Sequence, residues 1–211
     1  MRTRYLEADD VAEVANALKT PYNVIWLLMW HTGLRISDAI NLEYKQISSD
    51  GKLKWKSIKT KKTATRQLPP ELLLMLGRGK PSEWVFPSKR KLGEHIDRST
   101  VWRNIKKACK KCGIDADGVG THTARKSFAV KDFRENGLGQ TMFDLQHSSA
   151  SVTLLYALSD NPIPRIYDEI KALKEDLQEV YEILDTHDKI LRGYSDDDAI
   201  NVRFSEQKKE P

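Results

Sequence analysis

Four groups of residues along this chain have the types and spacing to handle a phosphate. The first is the run HTGLRISD, from His31 to Asp38. A glycine-containing turn directly before Arg35, at the mouth of an apolar helix, holds the guanidinium rigidly and lets its planar fork meet two phosphate oxygens. An ordinary surface arginine fits the same residues. The second group is basic: Lys52, Lys54, Lys56, Lys59, Lys61, Lys62 and Arg66 fall within fifteen residues, with no acid between them. Such a stretch repels itself unless a polyanion such as the DNA backbone supplies counter-charge. A solvated edge strand blunted with lysines is the alternative. The third group, THTARKSF from Thr121 to Phe128, puts His122 and Arg125 three apart. On a helix they share a face, where the imidazole could move a proton beside a bound phosphate. The fourth, LQHSSASVTLLY, runs from Leu145 to Tyr156 and sets Tyr156 nine residues after His147. By itself that tyrosine also fits a core position with a bonded hydroxyl. Arg103 and Lys126 add cations to the candidate DNA-binding set.

The elements that must position these groups follow from periodicity. Leu6, Val11, Val14 and Leu18 predict a helix over residues 5–19, capped by Asp9 or Asp10. Pro21 opens a second helix, Tyr22 to His31, apolar nearly all round and therefore buried, and Gly33 breaks it. A short helix follows from Ile36 to Leu42. Residues 52–58 alternate, lysines on one face and Leu53 and Trp55 on the other, which predicts a strand with a basic face. Residues 59–65 read as the hairpin loop, with Gln67 and Leu68 as the returning strand. A short helix is expected over Glu71 to Leu76 and a small strand over Trp84 to Phe86. Ser99 to Cys112 is a basic amphipathic helix with Val101, Trp102, Ile105 and Ala108 inward. His122 to Asn136 is another helix, capped by Gly137. Thr141 to Gln146 and Ser151 to Leu158 complete the set. Cys109 and Cys112 form one CxxC without a second pair, poor evidence for zinc, and read as core-edge residues.

Charge is distributed unevenly. The net charge is +5, but residues 1–160 hold 27 Lys/Arg against 17 Asp/Glu, and residues 161–211 hold 8 against 13. A basic body with an acidic tail points to a polyanion partner for the body. Hydrophobic residues make up 39%, enough for a core. No apolar run approaches the length of a membrane span, and two cysteines suit a reducing cytoplasm. Ile166, Ile170, Leu173, Leu177, Val180, Leu184, His187 and Leu191 alternate steps of four and three, a heptad seam interrupted by His187. Such a seam packs on another copy of the chain or on its own domain. Beyond Gly193 the tail is polar and expected to fray.

In order and together, these groups resemble the catalytic domain of the tyrosine recombinases, or phage-type integrases, over roughly residues 5–160. The family signature is Arg, Lys, His-x-x-Arg, His or Trp, then Tyr. Here the order is Arg35, a hairpin lysine, His122 with Arg125, His147 and Tyr156. Thr32 to Arg35 resembles the family's TGLR turn, and Leu145 to Ser149 resembles its LGHSS box with Tyr156 at the family spacing. The resemblance implies a mainly α fold with a small antiparallel hairpin, followed here by a long C-terminal helix. It divides the chain into a catalytic domain over 1–160, a heptad helix over 161–193 and a tail over 194–211. It implies that Tyr156 attacks phosphorus, that Arg35, Arg125 and His147 hold the phosphate oxygens, and that Lys59 or Lys62 protonates the leaving oxygen. Counting from the turn at Gly51 favours Lys59. Asp38 is implied to buttress the arginine turn. No metal or cofactor is implied, and the sequence has no spaced carboxylate cluster for a two-metal site.

The expected partner is double-stranded DNA, bound by a homo-oligomer assembled through the C-terminal helix in the cytoplasm of a bacterial or phage-infected cell. Gln146 stands where the family usually has glycine, and Ala124 and Lys126 stand where leucine and histidine are commoner. The chain starts where the family's catalytic domain starts, as expected of an excised domain or of a short recombinase without the N-terminal clamp. The rival reading is a DNA-binding regulator on the same fold that never cuts.

Overall fold

The computed structural model describes residues 3–80, 83–146, 149–151, 153–154 and 177–187. The chain divides into two compact units, residues 1–161 and 162–211. Among the described residues of the first, α-helices surround one hydrophobic core and a two-stranded antiparallel sheet lies beside them: α1 (Ala8–Ala17), α2 (Tyr22–Thr32), α3 (Ile36–Ile40), β1 (Lys52–Lys56), β2 (Thr63–Gln67), α4 (Pro70–Leu76), α5 (Arg98–Lys111) and α6 (Thr123–Asp144). The helical character with one hairpin is as expected.

The central element is α2, packed against α1, α3, α4, α5 and α6. Its all-round apolar sequence demands such a place. Val24, Ile25, Trp26, Leu28 and Met29 are buried, and the Trp26 indole donates to the Val11 carbonyl at 3.0 Å, so its polar edge is satisfied inside the core. The helix stops at Gly33, which adopts φ 67° while its N–H closes on the Met29 carbonyl at 2.9 Å. No larger residue fits there, since a β-carbon would stand 2.7 Å from the Phe128 ring of α6. This turn delivers Arg35 to the start of α3.

Several boundaries differ from the sequence expectation. The first helix starts at Ala8, not Tyr5. The segment before it is held extended by bonds to distant residues: Arg4 N–H to the Gly118 carbonyl at 3.1 Å and Leu6 N–H to Ser127 Oγ at 2.8 Å. Asp9 and Asp10 do not cap α1. Glu7 occupies the N-cap position, and its carboxylate pairs with Arg134 instead. The acids still favour the first turn through the helix dipole. The second strand begins at Thr63, so the hairpin loop is shorter than expected. Alternating threonines satisfy a ladder in which Lys52 faces Gln67, Lys54 faces Thr65 and Lys56 faces Thr63. Trp84 to Phe86 forms no strand. Isolated bridges join Glu43 to Trp84 and Pro87 to His95.

Trp102 is not inward but 46% exposed. The buried face of α5 is Val101, Ile105, Ala108 and Cys109, and a residue one position after Val101 is rotated about 100° off that face. The Lys106 ammonium lies 5.6 Å from the centre of the Trp102 ring. Cys109 is buried and Cys112 half-buried, as expected, and burial pushes the Cys109 thiol up to about 11. In α6 the backbone breaks helical geometry at Gly137 (φ 76°, ψ 179°), dividing the helix close to the expected place.

The expected helix over 151–158 falls mostly outside the described residues, as do His147, Tyr156, the first three and the last seam positions, and the tail after Gly193. Residues 177–187 are helical and exposed throughout.

Candidate active site

The site is assembled where three segments distant in sequence meet: the Gly33–Arg35 turn, the β1–β2 loop and the two ends of α6. Arg125 ties two of them together. Its guanidinium is buried; Nη1 donates to the Gly33 carbonyl and Nη2 to the Leu145 carbonyl at 2.8 Å. One side chain thus anchors the turn that presents Arg35 and the segment leading into His147. Charged donors on fixed carbonyls are among the stronger hydrogen bonds available to a protein.

Arg35 is half-buried at the N-cap of α3, and its Nη1 donates to Ser57 Oγ at 3.3 Å. Ser57 opens the hairpin loop, and its hydroxyl also accepts from Thr60 N–H at 3.4 Å. The loop is closed by two backbone bonds, Ser57 N–H to the Lys62 carbonyl and Lys61 N–H to the Ser57 carbonyl, both 2.9 Å. Asp38 is buried and accepts from Ile58 N–H at 2.9 Å, so it joins α3 to the same loop. Lys59 therefore sits on a loop fastened to the arginine turn through both Ser57 and Asp38.

His122 is at the N-cap of α6, one position ahead of the helix, with Arg125 one turn on. Its Nδ1 is buried without a hydrogen-bond partner among the described residues. Burial first, then the positive charges of Arg98, Arg125, Arg35 and Lys59, hold its pKa below the ordinary histidine value. That influence places four cations from four segments around one imidazole. Lys62 is not among them; its carbonyl instead closes the loop. An open groove of about 210 Å³ runs beside His122, lined in part by Arg98, Trp102 and Lys106.

A testable consequence concerns protonation. In the free protein His122 should titrate below 6.5, and binding a phosphodiester should raise its midpoint by offsetting the surrounding cations. The sign for stability follows. Between the lowered folded midpoint and 6.5 the unfolded chain binds more protons, so the contribution is full above pH 6.5 and declines as pH falls towards the folded midpoint. Proton NMR of the imidazole resonance checks this, and a free-protein midpoint at or above 6.5 refutes it.

The basic candidates divide by strand face. Lys52, Lys54 and Lys56 are exposed on the outer face of β1, with Leu53 and Trp55 buried beneath. Lys61 and Lys62 are exposed at the loop. Lys52 has a counter-charge of its own in Asp50, 2.9 Å away. Two of the expected DNA-binding residues need correction. Arg66 lies on the inner face of β2, opposite Leu53, and is paired with Asp144 of α6. The strand's two-residue period sends it there. Lys126 is buried, with Nζ donating to the Thr3 carbonyl at 2.7 Å, so it fastens the N-terminal segment to α6. Arg103 is exposed on α5 and donates within its own helix to the Ser99 carbonyl and Thr100 Oγ1.

Arg98, Ser57 and Thr60 were not singled out in the sequence, and Gln146 only as a departure from the family's glycine. Arg98 had a local signal: Asp97 caps α5 by accepting from Thr100 N–H at 2.9 Å, which puts Arg98 at the first helical position. It donates to Thr121 Oγ1 at 3.3 Å, beside His122. Gln146 adopts a left-handed backbone conformation, φ 55°, which accounts for the glycine expected at that position. Among the described residues no cluster of three or more His, Cys, Asp or Glu could hold a metal ion.

The Phage integrase family matches residues 4–161. The chain is 30% identical over 140 residues to the probable integrase/recombinase YoeC of Bacillus subtilis (strain 168), across 64% of this chain and 76% of that protein. It is 33% identical over 159 residues to tyrosine recombinase XerA of Pyrococcus furiosus, across 71% of this chain and 54% of that protein. The chain also spans about half the length of the XerD tyrosine recombinases that it matches. In fold it is similar to XerA recombinase (TM-score 0.64, 24% identity, 80% of this chain and 65% of that one). The catalytic domain of bacteriophage HP1 integrase gives a TM-score of 0.56 at 20% identity, over 77% of this chain and 98% of that domain. A lambda integrase dimer bound to a COC′ core site gives 0.63 at 21% identity, over 77% of this chain and 50% of that one. The cation cluster, the order of its residues and these likenesses together show that the chain belongs to the phage integrase family, the tyrosine recombinases.

Proposed function

We propose that this chain breaks and rejoins DNA site-specifically through a 3′-phosphotyrosyl intermediate. The observation that carries the reading is the convergence of Arg35, Arg125 and Lys59 on His122, from three segments held together by their own hydrogen bonds. A phosphodiester resists nucleophiles because of its negative charge, so preorganised cations supply most of what catalysis needs. Arg35 and Arg125 hold the non-bridging oxygens, and His147 adds a donor. The Tyr156 hydroxyl attacks phosphorus, the bond to the 5′ oxygen breaks, and Lys59 gives that oxygen its proton. His122, neutral at physiological pH, takes the phenolic proton. The new ester keeps the energy of the broken bond, so religation by the 5′ hydroxyl needs no nucleotide cofactor.

The lysine face of β1 and the exposed Lys61, Lys62 and Arg103 suit contacts with backbone phosphates of double-stranded DNA, which position without reading sequence. A cytoplasmic setting fits that partner. Trapping tests the central claim. The protein is incubated with a pool of nicked duplexes of randomised sequence, in which the released fragment diffuses away. A denaturant-resistant protein–DNA band is expected. DNA retention without any such band, across the pool, would favour a regulator that binds and does not cut.

Assembly is the second part of the proposal. Leu177, Val180 and Leu184 lie on one seam and are each more than half exposed. A neighbouring subunit on DNA would cover them, as apolar seams of this spacing require. Removing residues 162–211 should reduce the number of subunits per DNA that analytical ultracentrifugation reads. An unchanged number sinks this assignment.

A further inference from the structure

We infer that Gln146 is a positioning residue for the lysine loop, a bracket that joins the end of α6 to the hairpin. Its side chain spans the gap in both directions. Oε1 accepts from the Thr60 hydroxyl at 3.0 Å, and Nε2 donates to the Lys62 carbonyl at 3.4 Å. Thr60 and Lys62 follow Lys59 in the same loop, one and three residues after it. Gln146 is 8% exposed, and the residue after it in the chain is His147.

Its backbone makes the position unusual. At φ 55° it occupies the left-handed region, which glycine enters freely and a side chain enters at a cost. Any benefit from glutamine must therefore come from its side chain, and both of its polar ends are spent on the hairpin. A second link reinforces the same junction two residues earlier. Asp144, itself held by Gln140 Nε2 at 2.8 Å, pairs with Arg66 on the inner face of β2. The loop is thus fastened on one side to the arginine turn by Ser57 and Asp38, and on the other to the α6 end by Gln146. Glutamine limits where the Lys59 ammonium can reach, so it acts on proton delivery to the leaving oxygen and not on phosphate binding.

This inference rests on the reading of Lys59 as the proton donor, and the test separates the two. The substrate is a duplex recovered from the randomised pool by covalent capture, made in two forms: the natural 5′-bridging oxygen and a 5′-bridging sulfur. A thiolate leaves without being protonated, so a defect in proton delivery disappears on the sulfur form. Gln146→Gly relieves the left-handed backbone and removes the bracket. It should hold or raise the melting temperature, leave DNA affinity within about threefold, and slow cleavage of the oxygen substrate by about tenfold or more. On the sulfur substrate it should match the wild type. Thr60→Val should reproduce the defect, and the double variant should be no slower than either single one.

Lys59→Ala is the control, with a larger defect on oxygen that the sulfur substrate restores. If Lys59→Ala is restored and Gln146→Gly is not, Gln146 has no role in proton delivery and the inference is overturned. Wild-type cleavage of the oxygen substrate by Gln146→Gly overturns it equally. If sulfur fails to restore Lys59→Ala, the donor assignment itself is wrong, and if no duplex is captured at all, the recombinase activity falls first.

Discussion

Tyr156→Phe is expected to lower covalent strand capture by at least about 10⁴-fold while duplex binding stays within about threefold. The substitution removes one oxygen and nothing else. A free phenol has a pKa of about 10 and is a poor nucleophile at neutral pH. It becomes competent when cations stabilise its anion and the charge arriving on phosphorus. Arg35, Arg125, Arg98 and Lys59 already act together on His122, and on the proposed mechanism they supply such a field to the phenol. Tyr156 follows the last described part of the site by a short stretch of chain. No spare oxygen nucleophile on the same segment has the nine-residue spacing from His147. Residual capture by Tyr156→Phe above about a hundredth of the wild-type level would mean that another side chain carries the DNA, and the mechanism would have to be rebuilt around it. Loss of both capture and binding would point to a packing role for the hydroxyl.

The second large effect belongs to Arg125→Ala, in stability as well as chemistry. The guanidinium is buried and donates to two backbone carbonyls, Gly33 at the end of α2 and Leu145 after α6. Truncation leaves both acceptors without that donor, at about 1–3 kcal/mol each. A total of about 2–6 kcal/mol corresponds to a fall of roughly 10 °C in melting temperature for a domain of this size. Strand capture should fall by at least about 10³-fold, because on the proposed mechanism Arg125 both holds a phosphate oxygen and anchors the Arg35 turn. Arg125→Lys should recover little of either, since one ammonium on a flexible stem cannot reproduce a planar fork with two carbonyls. Scanning calorimetry and the capture assay read the two effects. A melting temperature within about 1 °C of the wild type would show that Arg125 is not the tie between turn and helix.

The two effects differ in origin, and that difference separates what is local from what is not. His122 and Arg125 could be paired from their spacing because one helical turn brings residues three apart together. Gly33 was legible as a break because α2 is apolar all round and must end in a turn that only glycine tolerates. Leu53 and Trp55 were legible as the buried face of β1 because a strand alternates. Each of these inferences spans a few residues and follows from backbone geometry alone. The family order of Arg35, the hairpin lysine, His122 with Arg125, His147 and Tyr156 added the chemistry, and the family comparison bears out that resemblance.

Tertiary structure decided which partner each residue meets. Arg66 belonged with the lysines by composition, yet the β1–β2 register turned it inward to Asp144, 78 positions away. Lys126 belonged with the cations of its motif, yet the extended N-terminal segment covers it. Trp102 was assigned inward by its size, while the phase of α5 is set by Val101 and Ile105 against the core. Gln146 stood out in the sequence as a departure from glycine without a function, and its role became visible when Thr60 and Lys62 were found against it. Periodicity records that a side chain faces something; it carries no record of which distant segment the folded chain brings there. The sequence by itself determined the elements, the reactive groups and their order. The fold alone decided how those groups are fastened to one another, because the hydrogen bonds that do it close loops of 20 to 92 residues.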